Sequence, residues 1–161
     1  MILLLCATLL VSTLHSANAA GVQVWTEPAA LKIFEDAKAS AHATRTVRLS
    51  AARREFAAFQ IVLCADADLK GVTAKALAPE GPGRISARNI TIWREHYVNT
   101  NEGRKPDPLS LLKSVDLKAG VAQPLYVEIE VPANAKAGSY AGTIELSAGG
   151  AEAGHCLLYP S

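Results

Sequence analysis

The sequence predicts an all-β fold: an antiparallel β-sandwich, immunoglobulin- or jelly-roll-like, with one long loop. Three observations carry this expectation. Helical signals are nearly absent, and Gly, Pro or Asn interrupts short β-branched and aromatic runs from end to end, at roughly the ten-residue spacing of sandwich and barrel strands. Residues 125–146, LYVEIEVPANAKAGSYAGTIEL, alternate apolar and polar on both sides of a turn-forming centre. Residues 55–64, EFAAFQIVLC, are apolar on both faces of an extended chain. At 161 residues the chain is one domain plus whatever processing removes.

Strands are expected at 22–26, 31–35, 46–50, 55–64, 71–77, 89–97, 123–131 and 140–148. The second lies in the Ala-rich stretch 27–38, where Leu31, Ile33 and Phe34 fit strand and helix equally well, and strand is the assignment. In 55–64, Ala57, Phe59, Ile61 and Leu63 share one face, and Ala58, Gln60, Val62 and Cys64 the other. A strand apolar on both sides is covered on both sides. In 89–97, Ile90 and Ile92 share a face while Trp93 falls on the other, which predicts a bulge near Trp93. Leu125, Val127, Ile129 and Val131 alternate with Tyr126, Glu128 and Glu130. Tyr140, Gly142, Ile144 and Leu146 alternate with Ala141, Thr143, Glu145 and Ser147. The pair reads as an antiparallel hairpin with one buried and one wet face, which argues for a sandwich over a parallel α/β sheet.

The longest irregular stretch is 99–123. Asn, Gly, Lys-Pro and Asp-Pro crowd its first half, and Leu109, Leu111, Leu112 and Val115 follow without a clean period. A connection beyond about 15 residues without regular structure usually serves function or an interface. Gly81-Pro82-Gly83 reads as a turn.

Residues 1–19 read as a removable signal peptide. Residues 2–11 are apolar but for Thr8, and Ala17-Asn18-Ala19 puts small residues where a signal peptidase cleaves. No Lys or Arg precedes the run, and it is shorter than the roughly 20 residues a bilayer requires. Cys6 follows three leucines and lacks a lipoprotein context. The expectation is a secreted or periplasmic protein with no membrane association after signal removal and a sandwich module at 20–161. A module of that size needs no metal or disulfide to fold.

Sixteen basic against fifteen acidic residues give a net charge of +1, so no global field draws the chain to nucleic acid or anionic lipid. Arg45, Arg48, Arg53 and Arg54 form a local basic cluster: a solvated edge and turn, or a sugar- or anion-contacting patch. Cys64 and Cys156 are left after signal removal, either paired or, with Cys64 ending an apolar strand, inert buried thiols.

Glu95-His96-Tyr97 is the most functional-looking polar run. Successive strand residues point to opposite faces, so Glu95 and His96 meet one substrate only from an irregular backbone. Asp107 would complete an acid/base set; the structural alternative pairs Glu95 with a neighbouring arginine. His42 and His155 lack partners at ligand spacing, so no metal and no cofactor are expected. No nucleophile elbow or phosphate-cradling loop appears, and the scattered acids give no glycosidase pair in a cleft. Among the aromatics, Trp25 and Tyr140 belong to the core, Tyr126 is a further candidate, and Trp93 and Tyr97 stand at the mouth of the long loop. The Asn89-Ile90-Thr91 sequon opens a strand.

Several stretches together resemble the amino-terminal β-sandwich of glycoside hydrolase family 123-like (N-acetylgalactosaminidase-like) proteins: VQVWTEPAALKIF (22–34), RLSAARREFAAFQIVL (48–63), ITIWREHYVN (90–99), PDPL (106–109) and QPLYVEIEVPANAKAGSYAGTIEL (123–146). The resemblance implies a secreted multidomain protein in which the sandwich precedes a (β/α)8 barrel. That barrel would carry the Asp and Glu that help the substrate's own acetamido group act as nucleophile. No catalytic residue maps onto this chain. It implies a non-catalytic module that packs against and positions the barrel, with Trp93, Glu95, His96, Tyr97 and Asp107 as candidate carbohydrate or interdomain contacts. The barrel, and glycans, are the expected partners. The alternative is a stand-alone carbohydrate-binding module using exposed aromatics. The sequence departs from the family after Ala148, where another apolar strand is expected. Residues 149–161, GGAEAGHCLLYPS, offer only Leu157 and Leu158 for a short last strand, so the last strand and barrel are expected to be truncated.

Overall fold

The computed structural model describes residues 21–101 and 103–160, and the expected signal peptide lies outside the described residues. Ten strands follow in order: β1 Val22–Pro28, β2 Thr46–Leu49, β3 Phe56–Ala65, β4 Leu69–Ala76, β5 Ile90–Thr100, β6 Gly103–Leu111, β7 Val115–Leu117, β8 Ala122–Glu130, β9 Gly142–Ala148 and β10 Ala151–Pro160. They form two five-stranded sheets, β1-β3-β8-β5-β6 (sheet I) and β2-β10-β9-β4-β7 (sheet II). Every pairing is antiparallel except β10 with β2. Phe59, Ile61, Leu63, Ile90, Ile92, Leu125, Val127 and Ile129 of sheet I meet Val72, Val115, Leu117, Ile144, Leu146, Cys156 and Leu158 of sheet II in one core. The sandwich is as expected.

The pairing expected at 125–146 is not. β8 hydrogen-bonds to β3 and β5, and β9 to β10 and β4. The connection at 131–141 therefore crosses between the sheets and closes no hairpin. Both strands bury the predicted face, because two strands facing each other across a sandwich show the same inward alternation as two strands side by side. The hairpin that does form joins β9 to β10 through Gly149 (φ 58°) and Gly150 (φ 83°), the two positive angles of a type I′ turn. The segment after Ala148 is thus a ten-residue strand and not the two-residue remnant expected there. Near its middle the register shifts between Glu152 and Gly154. At Gly154 (φ 145°) a Cβ would lie 3.1 Å from Val24 Cγ2.

Strand β3 is covered on both sides, as predicted, from Phe59 to Ala65, while Phe56 at its start is exposed. Ala57, Phe59, Ile61 and Leu63 point to the interior. Val62 and Cys64 join Trp25, Ile33 and Ala122 in a second cluster on the outer face. Its cover is the segment 29–43, which forms turns and extended coil and neither the strand nor the helix weighed for it. Gln60, wholly buried, donates through Nε2 to the carbonyls of Pro28 (2.9 Å), Ala29 (3.3 Å) and Leu31 (2.7 Å). The Ala122 amide donates to Glu35 O (2.9 Å), and Lys38 Nζ to Gly120 O (2.9 Å). A strap fastened in this way has no ladder of its own, so no periodicity announces it.

The stretch expected to be one long loop is instead strands β6 and β7. Pro106 and Pro108 were read as breakers, but β6 is the edge of sheet I, where a missing N–H leaves no ladder bond unmade. The bulge predicted near Trp93 is absent: β5 pairs with β8 in unbroken register from Ile90 to Arg94, and the irregularity lies on the β6 side, where Asp107 and Pro108 together face His96. The two remaining cysteines are both free: Cys64 lies under the strap and Cys156 in the main core. Burial pushes the Cys156 thiol up to about 12.

Gln60→Leu keeps the volume but removes the donor to three carbonyls, and a loss of about 1–3 kcal/mol is expected. Urea unfolding measures it, and hydrogen exchange of the Ala122 amide, accelerated beyond the global loss, locates it at the strap. In the β9–β10 turn, Gly149→Asn should leave stability within about 0.5 kcal/mol. Gly149→Val with Gly150→Val should cost about 2 kcal/mol or more, since a side chain resists left-handed backbone. Thermal unfolding of the three proteins distinguishes them.

Candidate interaction surface on the outer face of sheet I

Because Ile90 and Ile92 point into the core, Thr91, Trp93 and Glu95 face outward from β5. Across the sheet Trp93 sits opposite Tyr126 of β8 and Leu111 of β6, and Glu95 sits opposite Leu109. A rung of three large side chains, Tyr126–Trp93–Leu111, thus crosses three strands, with Leu109 on the next rung. Leu109 and Leu111 are 45% and 58% exposed, while Trp93 and Tyr126 are half-buried. The strap covers β1, β3 and β8 and reaches Tyr97 of β5 and Arg104 and Pro106 of β6, leaving the rung uncovered.

Polar contacts fix that border. Lys32 Nζ donates to Pro106 O (3.2 Å) and lies 3.7 Å from Asp107 Oδ1. Arg104 Nε is 3.1 Å from both carboxylate oxygens of Glu35. The exposed Leu31 and Phe34 are on the same strap. Glu95 is buried at the border, and desolvation pushes its carboxyl above the usual range. Lys32 opposes the shift and Asp107 adds to it. No arginine pairs with Glu95 among the described residues.

The sequence-predicted residues separate into three groups. Trp93, Glu95 and Asp107 share the outer face, the two acids within the field of Lys32. Tyr97 also belongs to this face, but its hydroxyl donates to Ile33 O and Ala122 O (both 2.9 Å), so it anchors the strap. Burial, with Glu35 and Glu95 nearby, raises its phenol far above the ordinary value. His96 turns away: its Nε2 lies 2.7 Å from Ser110 Oγ, and Ser110 is opposite Arg94. Glu95, His96 and Asp107 therefore do not form an acid/base set. Lys32 gave no sequence signal, being far from 93–107 in the chain. The Leu109-Ser110-Leu111 alternation was readable but sat behind two prolines. Of the other candidates, Trp25 is buried and donates to Glu27 Oε1 (3.1 Å). Asn89 caps a single 3-10 turn, its Oδ1 accepting from the Ser86 amide. No group of three or more His, Cys, Asp or Glu residues converges among the described residues.

Residues 34–148 match the glycoside hydrolase 123 N-terminal domain. The chain belongs to that family. Among solved structures it is similar to a family 123 glycoside hydrolase from Clostridium perfringens, described for glycolipid glycan hydrolysis. The TM-score is 0.72 at 17% identity, over 87% of this chain and 27% of that one. At that identity the likeness is one of fold, and this family 123 domain spans about a quarter of the length of the protein it matches. The N-terminal domain of PorA (TM-score 0.42, 14% identity, 86% of this chain and 96% of that) is more distant. So is the Pseudomonas fluorescens alkylpurine DNA glycosylase AlkC (0.33, 14%, 88% and 30%). Neither carries an argument about this chain. No curated protein matches it.

Glu95 gives a pH test with a definite sign. Its folded pKa is raised, so its contribution to stability is complete below the unfolded value of about 4.3 and is lost as pH rises through the folded value. Above the unfolded value, the cost of ionising the buried carboxyl opposes folding. Glu95→Gln should raise the urea midpoint at pH 7, with a gain that shrinks toward pH 4. A lower midpoint at pH 7 would mean that attraction to Lys32 outweighs burial.

Proposed function

We propose that this domain is the non-catalytic amino-terminal module of a longer, secreted glycoside-hydrolase-like protein. There it packs against and positions a (β/α)8 barrel through the outer face of sheet I. The observation that carries this reading is the uncovered rung Tyr126–Trp93–Leu111 with Leu109 beside it. Contiguous exposed apolar surface rimmed by charge is the usual mark of a protein interface, and here Lys32, Asp107 and Arg104 form the rim. Membership of the family supports the reading, as does a match confined to about a quarter of a longer hydrolase. In that protein the barrel would hydrolyse N-acetylhexosaminides, and the sandwich would supply no reacting group. Residues 1–19, read as a signal peptide, support export.

The chain alone should not turn over an aryl N-acetylgalactosaminide. Turnover abolished by Glu95→Gln or Asp107→Asn, with folding intact, would overturn the non-catalytic role. In the longer protein, Leu109→Lys with Leu111→Lys should lower the barrel's melting temperature and reduce kcat/KM about tenfold, while leaving the isolated sandwich as stable as before. Unchanged values would remove the packing role. Glycan-array binding lost in Trp93→Ala would favour a carbohydrate-binding module instead.

A further inference from the structure

At the end of the sandwich where β2, β8 and β10 finish, the sheets part around a cavity of about 610 Å³. That volume lies within the roughly 300–1,000 Å³ of sites that hold small organic ligands. Its walls are core. Ala57 and Ile129, register partners on sheet I, face Leu49 and Leu158 of sheet II. Ile85 joins them from the β4–β5 connection, 6% exposed like Leu158. The mouth differs in kind. Of the residues lining the cavity, Arg53 and Lys136 are charged, both are basic, and none is acidic. Both are exposed, and neither has a carboxylate partner among the described residues.

The mouth is held in place before anything enters it. Arg54 has a φ of 68°, an angle a non-glycine residue adopts at a cost of about 1 kcal/mol or more. The turn persists because the Arg54 amide donates to Val131 O (2.8 Å), the Val131 amide to Glu55 O (2.9 Å), and the Ala52 amide to Glu55 Oε2 (2.8 Å). This turn projects Arg53. Opposite it, Tyr140 donates to Lys136 O (2.9 Å). Gly81 lies so close to the Tyr140 ring that a Cβ there would come within 2.4 Å of Cδ1. Gly81-Pro82-Gly83 is therefore a backplate for the Tyr140 side of the mouth.

We propose that this cavity binds an amphipathic monoanion, a medium-chain alkyl carboxylate in its simplest form. The chain would lie between Ala57 and Leu158, and the carboxylate at Arg53 and Lys136. Apolar walls alone accept any greasy body. Arg53 and Lys136 line the mouth without an ion-pair partner among the described residues, while the acid on the same turn, Glu55, is engaged by the Ala52 amide, so the two cations favour an anion. The site is on a different surface from the rung on sheet I.

The test is calorimetric titration of the folded chain with decanoate, octanoate and decyltrimethylammonium, each below its micellar concentration. Saturable one-to-one binding of decanoate is expected, about tenfold weaker for octanoate, since two methylenes are removed from the apolar walls. The cation should bind at least tenfold more weakly than decanoate. Arg53→Glu with Lys136→Glu, both exposed, should retain the wild-type melting curve and reverse the preference in favour of the cation. Ala57→Phe, filling the cavity from β3, should abolish both, and the rim variant keeps the test decisive if that protein fails to fold. No saturable binding, equal affinity for the two head groups, or decanoate binding indifferent to the rim reversal would each overturn the proposal.

Discussion

From Phe59 to Ala65 strand β3 has no wet face, and that one constraint organises sheet I. Its inward residues are met by sheet II, as in any sandwich. Its outward residues, Val62 and Cys64 with the neighbouring Trp25 and Ala122, would be left in water unless the chain supplied a second cover. Residues 29–43 supply it, without the backbone ladder that would make such a cover self-sufficient. The strap depends on side chains reaching up from the sheet: Gln60 takes two of its carbonyls, at Ala29 and Leu31, besides that of Pro28 in β1, and Tyr97 takes a third at Ile33. Buried carbonyls cannot go unpaired cheaply, so these two polar side chains are part of the apolar cover's design. Where the strap ends, sheet I is open, and the candidate interaction surface begins at that line.

The sequence disclosed which residues face inward far better than which strands are neighbours. Alternation in β8 and β9 placed Leu125, Val127, Ile129, Ile144 and Leu146 in the core correctly. The same alternation could not say that the two strands lie in opposite sheets, since side-chain direction is local and hydrogen-bond partnership is not. Pro106 and Pro108 hid β6, because a proline forbidden in a central strand is harmless at an edge. Gly149-Gly150 was legible as a hairpin turn between two runs. Gly154 interrupts the apolar run after it, and that glycine marks a bulge against Val24. The two largest misreadings mirror each other. The strap reads as a strand and two strands read as a loop, since 29–43 is apolar without a ladder and β6 is paired without an apolar period.

The candidate site was legible only in part for the same reason. Trp93 and Glu95 could be placed together on one face from period two, and they are. His96 follows the same rule to the opposite side, where Ser110 holds it. Lys32 became part of the site through the strap's path over β6, which no local pattern encodes. Its ammonium and the buried Glu95 carboxyl oppose each other's environment: burial favours the neutral acid, the cation the charged one, and burial is the larger effect.

The two outer faces of the sandwich are unequal, and the inequality argues where a partner belongs. On sheet II the outward rungs pair Lys75 with Glu145 and His155, and Thr73 with Ser147. At its edge Lys70 meets Asp116 (2.7 Å) and Lys118 meets Asp68 (3.0 Å); the Ala119 amide first and then Lys118 hold the Asp68 carboxyl below its ordinary range, and Lys70 with the Gly71 amide does the same for Asp116. That face is completed by water and by its own charges. Sheet I presents Tyr126, Trp93, Leu109 and Leu111, with Lys32, Asp107 and Arg104 along the strap border and Glu128 opposite Thr91 on the rung beyond. A surface of this kind loses more by remaining in water than a charged rung does. A second domain seated on sheet I would displace weakly held water from apolar side chains. Seated on sheet II, it would have to strip solvated ion pairs and find new partners for each. The same contrast separates the cavity at the end of the sandwich from both faces. Its walls are as apolar as the rung, but they are concave and too narrow for a domain, with unpaired cations only at the mouth.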